Sequence, residues 1–438
     1  MFFDDGKFLC KGILLIIVIG IAVRLISGTL LTYNYDVYHW TLTISNYEAG
    51  NGLYQTAGYY YTPVWGYILA TFAQFYELLG LDMIGDRFVD LLFVEDDICY
   101  SPHTAFVPSI PFSAAVTVML CIVDLVSAYL VYWLVKEVFH DTVKAKICFS
   151  VYFLYSFLIV VSTIGGMFDP ISVLMLLLCV CLLIKGQEFT AGMMLSAVAL
   201  LKLFPAFLIF LFVAYVIARH REDWKPRLLK AMLGAGLATA VLMLPQVMDG
   251  TVADSFSFVL ARAESKTTLI DTIVSSASII GYLAIILANI ILAYHFMKRR
   301  HDDIDASFVI YSFVGLLILF LMPGAPQYLL PMIPFLIIMA YCVESRFKVP
   351  MLLLMVFASV YMLSPLAMDF ASLAVYTDLL PMDSFKAIYG LFDFQVYELN
   401  GFDVWNRIGL VLQTTGVLLV AAVTLIWVRD RVKGTDSQ

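Results

Sequence analysis

The sequence predicts an all-α polytopic membrane protein, and three observations carry that reading. Of its 438 residues, 62% are hydrophobic, and the mean hydropathy is +0.91. Only 14% are charged. Apolar runs close to the roughly 20 residues that cross a bilayer recur from end to end. A membrane barrel would instead show short alternating segments. The net charge of −8 argues against a nucleic-acid partner. No hydrophilic linker sets off a soluble domain, so residues 1–438 read as a single integral-membrane domain.

Taken in order, the first apolar run, 12–31, has no small-residue cleavage site after it and reads as a retained signal anchor. Further spans are expected at 112–135, 147–164 and 170–184, then a short pair within 190–218. The rest fall at 231–248, 273–297, 306–322, 328–343, 349–365 and 406–428, which makes about 12 transmembrane helices. Arg24 and Asp124 lie at matching depths in the first two of these. An unpaired charge there costs about 2.5–3.5 kcal/mol, so the two are expected to pair.

Lys and Arg concentrate in cytoplasmic loops, and that bias sets orientation. If 59–80 crossed the membrane, the downstream basic groups would fall outside. If it lies on the outer surface, the groups Lys7/Lys11, Lys136–Lys146, Lys185, Arg219–Lys230, Lys298–Arg300, Arg346/Lys348 and Arg429–Lys433 all face inward. Those groups hold 19 of the 26 Lys and Arg residues. The aromatics of 59–80 suit an interface helix. Residues 32–111 then form one large outer loop and 366–405 a second, both acidic. Cytosolic nucleotide sugars and ATP become poor substrate candidates. The seven cysteines show no metal spacing and read as small apolar residues.

The first outer loop holds "NYDVYHW" and "YYYTPVWGY". Asp36 is followed after fourteen residues by Gly50, after four more by Tyr54, and after nine more by Pro63. "GGMFDP", "ALLKLFPAF" and "APQYLLPMIPF" follow in order. This set resembles the GT-C glycosyltransferases. The resemblance is to the branch holding the GPI mannosyltransferase I catalytic subunit and the polyprenol-phosphate-mannose-dependent mannosyltransferases. It implies a GT-C fold whose large first outer loop carries interfacial helices. The implied reaction is inverting transfer of a sugar, mannose, from a polyprenyl phosphate (dolichyl phosphate mannose in the eukaryotic branch) to a lipid or glycan acceptor on the non-cytosolic side. Asn34 stands where the GPI branch carries the first acid of an Asp-x-Asp pair. The insertion 81–111, with Asp96-Asp97, departs from the pattern. No cofactor is expected and no metal ligand set is assigned; the expected partners are the polyprenyl-phosphate sugar donor, the lipid or glycan acceptor and membrane lipids, and the sequence indicates nothing of protein partners.

The chemistry needs a base, cations for the departing phosphate and an apolar groove. Asp36 is the candidate general base, a role worth about 10²–10⁴-fold; Asp is also a favoured helix N-cap. His39, one helical turn on, would share its face. Lys202 sits between the two short apolar halves of 190–218. It reads either as a phosphate contact or as a snorkelling lysine at a helix end. Arg262 is a second phosphate candidate. Asp169 before Pro170 suits a helix start as well as a sugar contact. Tyr61, Gln327 and Tyr328 complete the substrate-binding candidates. The competing classes are a transporter or lipid flippase, which predicts inverted repeats, and a non-catalytic subunit of a glycosylation complex. A third rival is a transferase of the same broad fold with a diphosphate donor. The chain end "KGTDSQ" carries no ER retrieval signal, which favours a prokaryotic plasma membrane.

Overall fold

The computed structural model describes residues 8–32, 34–54, 59, 61–80, 88–92, 104–256, 269–321, 325–363, 370–390, 395–396 and 399–435. The expected segments are all helical. They are α1 (Lys11–Leu30), α4 (Ile110–Phe139), α5 (Thr142–Phe153) with α6 (Ser156–Ile159), and α7 (Asp169–Ile184). Next come α8 (Glu188–Ala199), α9 (Ile209–Arg219), α10 (Trp224–Asp249), α11 (Leu269–Lys298) and α12 (Ile304–Phe320). The series closes with α13 (Ile333–Ile338), α14 (Lys348–Met362) and α17 (Gly401–Thr435). Among the described residues, seven helices are long and apolar enough to cross a membrane, or eight with the bent α5–α6 pair. Four more are apolar but shorter, α7, α8, α9 with its lead-in, and α12.

The segment 32–111 contributes α2 (Asn34–Glu48) and α3 (Pro63–Leu78). Pro63 opens α3 at the position where a missing N–H is harmless. Its 16 residues fall short of a span, and it is not among the shorter apolar helices either. The insertion 81–111 contains a two-stranded hairpin, β1 (Phe88–Leu92) with β2 (Thr104–Pro108), paired antiparallel from Phe88↔Pro108. The second acidic segment adds α15 (Ala371–Tyr376) and α16 (Met382–Gly390), packed around the buried Phe385, and a minimal hairpin at 395–400. Asp96 and Asp97 lie outside the described residues.

The chain packs into two compact units. The first comprises Met1–Thr41, Gly80–Ile171 and Pro323–Gln438. Arg24 and Asp124 meet there as expected. Arg24 Nε donates to Asp124 Oδ2 at 2.9 Å, with both side chains fully buried. Ser162 Oγ donates to the same oxygen at 2.8 Å, Arg24 Nη1 reaches the Gly20 carbonyl at 3.2 Å, and the guanidinium stacks on Phe153 at 4.3 Å. Ser162 gets there because α6 runs on as a π turn, Val160–Ile164, and the α5–α6 pair bends by 43°. Helix α13 is fully enclosed over Ile333–Ile338. Helices α14 and α17 pack closely through Gly409 against Tyr361 and Gly416 against Leu354.

The second unit comprises Leu42–Leu79 and Ser172–Met322. Gly192 of α8 lies against the Ala231 backbone and Gly234 of α10 against that of Phe189, the close approach small residues allow between membrane helices. Tyr215 of α9 stacks on Phe308 of α12, and Phe212 meets the same ring edge-on. Arg219 Nη1 bonds both Asp305, at 2.7 Å, and the Tyr215 hydroxyl. Among described cysteines all are free thiols, and five of the six are buried.

Breaking a buried pair strands one charge and costs about 3–5 kcal/mol. Arg24→Gln and Asp124→Asn are each expected to lower the melting temperature and the folded yield sharply. The double variant Arg24→Leu/Asp124→Leu should recover most of the loss. Thermal melts of the three detergent-solubilised variants check this.

Candidate active site

In the first unit, α2 carries Asp36 in its first turn, with the side chain partly exposed. Asp36, His39 and Trp40 are three and four residues apart, so they occupy adjoining positions on the helix surface. Trp40 fixes the helix. It is 1% exposed, donates from Nε1 to the Gly166 carbonyl at 2.9 Å, and meets the Phe168 ring edge-on at 5.8 Å. Val37 lies against Gly166 on the same side. Gly166 has φ +58°, in the left-handed region, and a Cβ there would collide with Val37. The glycine is therefore required twice over, by backbone and by space. Two separate motifs, "DVYHW" and "GGMFDP", are thus brought together. Asp169 closes the second one. It is buried and begins α7, with Pro170 behind it.

His39 is buried beside this contact, and burial lowers its imidazole pKa below the usual value near 6.5. It is neutral at pH 7, so it suits orienting a hydroxyl rather than neutralising a phosphate. Gln327 and Tyr328 lie in a 3₁₀ turn, Pro326–Met332, that leads into α13. Arg262 lies outside the described residues.

The second unit gathers Tyr61 and Lys202. Tyr54 donates its hydroxyl to the Tyr61 carbonyl at 2.7 Å, and Tyr59 donates to the Thr62 carbonyl at 2.7 Å while accepting from Gly66 N. Thr62 Oγ1 then donates to the Leu201 carbonyl at 3.1 Å, one residue before Lys202. The "YYYTP" and "LLKLFP" motifs are joined backbone to side chain. Lys202 stands in the break between α8 and the 3₁₀ turn Phe204–Leu208 that precedes α9, partly exposed. Tyr67 of α3 donates to Gln246 of α10 at 2.7 Å. Ser255 bonds Tyr54, whose phenol is pushed up by burial. Trp40, Gly166, Thr62 and Gln246 were not singled out from sequence. The available signal was position: Trp40 is one turn from Asp36, and Gly166 ends a Gly-Gly pair ahead of Asp169. Among the described residues, no group of three or more His, Cys, Asp or Glu side chains could hold a metal ion.

A helical membrane chain whose motifs fall in this order belongs with the polytopic GT-C-type glycosyltransferases. The match to a family model makes this specific: residues 99–324 match glycosyltransferase family 87, and the chain belongs to that family. Asp169 and Lys202 lie inside the matched segment; Asp36, Tyr61 and Gln327 lie outside it. No curated protein matches the chain.

Two outcomes follow from the geometry. Gly166→Ala should cost about 1–3 kcal/mol of stability, the range for a strained left-handed residue, and should lower transfer activity with it. Melting and turnover measured side by side check this. His39 titrates at lower pH when folded than when unfolded. Its contribution is therefore fully present above pH 6.5 and is lost as pH falls below that value. His39→Gln should flatten the acid-side decline in melting temperature between pH 7 and 5.

Proposed function

We propose that this glycosyltransferase moves mannose from a polyprenyl-phosphate donor to a hydroxyl of a lipid or glycan acceptor, with inversion, on the outer or lumenal side of the membrane. Asp36 is the general base. It takes the acceptor hydroxyl proton as the oxygen attacks the anomeric carbon, and the C1–O bond to the phosphate breaks with its electron pair leaving on the phosphate. Lys202 meets the developing phosphate charge, where a placed cation is worth most. Asp169 and Tyr61 bind sugar hydroxyls, His39 orients the acceptor, and Gln327 and Tyr328 contribute to substrate binding. Arg262 is a second phosphate contact.

The observation that carries this reading is the docking of α2 on the Gly166–Phe168 segment. It holds a partly exposed carboxylate on a rigid helix beside a second acid-bearing motif of the same resemblance. General bases are effective when their position is fixed relative to the reacting hydroxyl. Family membership supports the reaction class. The acidic outer loops and inward basic loops support the sidedness.

The test is a purified assay with radiolabelled polyprenyl-phosphate-mannose and a membrane-lipid extract. Wild type should form a labelled product, and Asp36→Asn should reduce its rate by about 10²–10⁴-fold at unchanged melting temperature. Equal rates would remove Asp36 as the base.

A further inference from the structure

Six cysteines lie among the described residues, and two of them meet in the first unit. Cys148 Sγ and Cys342 Sγ are 4.0 Å apart, although 194 residues separate them in the chain. Cys148 lies on the buried face of α5 with Ala145, Phe149 and Tyr152, at the three- and four-residue spacing of one helix side. Cys342 stands on a π turn, Met339–Val343, that follows α13. Glu344 N closes this turn on the Met339 carbonyl at 2.8 Å. Turns of this kind concentrate at functional sites.

The two thiols differ in access. Cys148 is fully buried, whereas Cys342 is the one described cysteine that is not buried. Cys342 is two residues before Glu344, where the apolar run gives way to the 3₁₀ turn Ser345–Phe347 and the exposed Arg346. Other bonds hold the surrounding helices in place. Tyr155 donates its hydroxyl to the Met351 carbonyl of α14 at 3.0 Å, and the Ser156 and Ser359 hydroxyls bond at 3.1 Å. The α5–α6 pair is thus fixed against α14, which follows the turn carrying Cys342, and the two sulfurs are kept facing each other. A disulfide is about 2.04 Å long, so each sulfur has to move by about 1 Å, within reach of a side-chain rotation.

We propose that Cys342 and Cys148 are a peroxide-sensitive dithiol that closes reversibly into a disulfide and ties α5 to the π turn. The Cys342 sulfur attacks one oxygen of a hydroperoxide. The O–O bond breaks, and its electron pair leaves on the other oxygen, which takes the thiol proton and departs as an alcohol, or as water from hydrogen peroxide. The sulfenic acid left on Cys342 then condenses with the Cys148 thiol: the S–S bond forms, the S–O bond breaks and water leaves. Two thiols are oxidised and one peroxide is reduced, and a thiol reductant restores the pair. The accessible cysteine reacts first, and the buried one resolves it before deeper oxidation. None of the transferase candidates takes part, so this proposal stands or falls apart from that reading.

Peptide mapping of the purified full-length protein by mass spectrometry tests the proposal. After hydrogen peroxide, wild type should yield a peptide joining Cys148 to Cys342, two hydrogens lighter than the separate peptides and lost on adding dithiothreitol. The oxidised protein should melt a few degrees above the reduced one, because the link closes a long loop. Cys342→Ala should give no such peptide and the same melting temperature with and without peroxide. In Cys148→Ala the sulfenic acid has no resolving partner, so labelling of Cys342 by dimedone should rise several-fold over wild type. Oxidation of wild-type Cys342 to sulfinic acid with Cys148 still a free thiol would overturn the proposal. So would a disulfide joining Cys342 to another cysteine, or both thiols surviving peroxide unchanged.

Discussion

The first unit is organised around one ion pair in the hydrocarbon core, Arg24 with Asp124. Neither charge is tolerable alone at that depth. Their pairing sets α1 against α4. The third member, Ser162, reaches Asp124 only because the chain widens into a π turn at Val160–Ile164. That turn delivers the chain to Gly165 and Gly166, where the Gly166 carbonyl accepts the Trp40 indole N–H. The position of α2, and with it Asp36, thus follows from a chain of contacts that begins at a buried charge. The placement of Asp36 depends on an ion pair between two membrane-spanning helices.

Much of this was legible in the sequence. Long apolar runs gave the helices, and the equal depth of Arg24 and Asp124 gave their contact. The π turn left no trace, because a widened turn has the same apolar side chains as an ordinary one and is selected by a tertiary hydrogen bond. The break at Leu154–Tyr155 was hidden for the same reason, since no proline or glycine marks it. The docking of Trp40 was also invisible, because aromatics in an outer segment suit a membrane interface equally well. The requirement for glycine at 166 depends on Val37, more than a hundred residues away.

The aromatic burst at 54–67 acquires a more limited meaning. Tyr54 and Tyr59 spend their hydroxyls on backbone carbonyls of Tyr61 and Thr62, and Tyr67 spends its own on Gln246. A buried tyrosine whose hydroxyl is engaged in this way shapes a turn. The turn in turn places Thr62 on the Leu201 carbonyl next to Lys202. Membership of glycosyltransferase family 87 rests on 99–324, and α2 precedes that segment.

The central claim is that a lipid-linked sugar, rather than a cytosolic nucleotide sugar, is the donor. The direct measurement is transfer by the purified protein in proteoliposomes supplied in parallel with polyprenyl-phosphate-[¹⁴C]mannose and with GDP-[¹⁴C]mannose. The account predicts labelled product from the polyprenyl-phosphate donor alone. Product from GDP-mannose, with none from the lipid-linked donor, would contradict it.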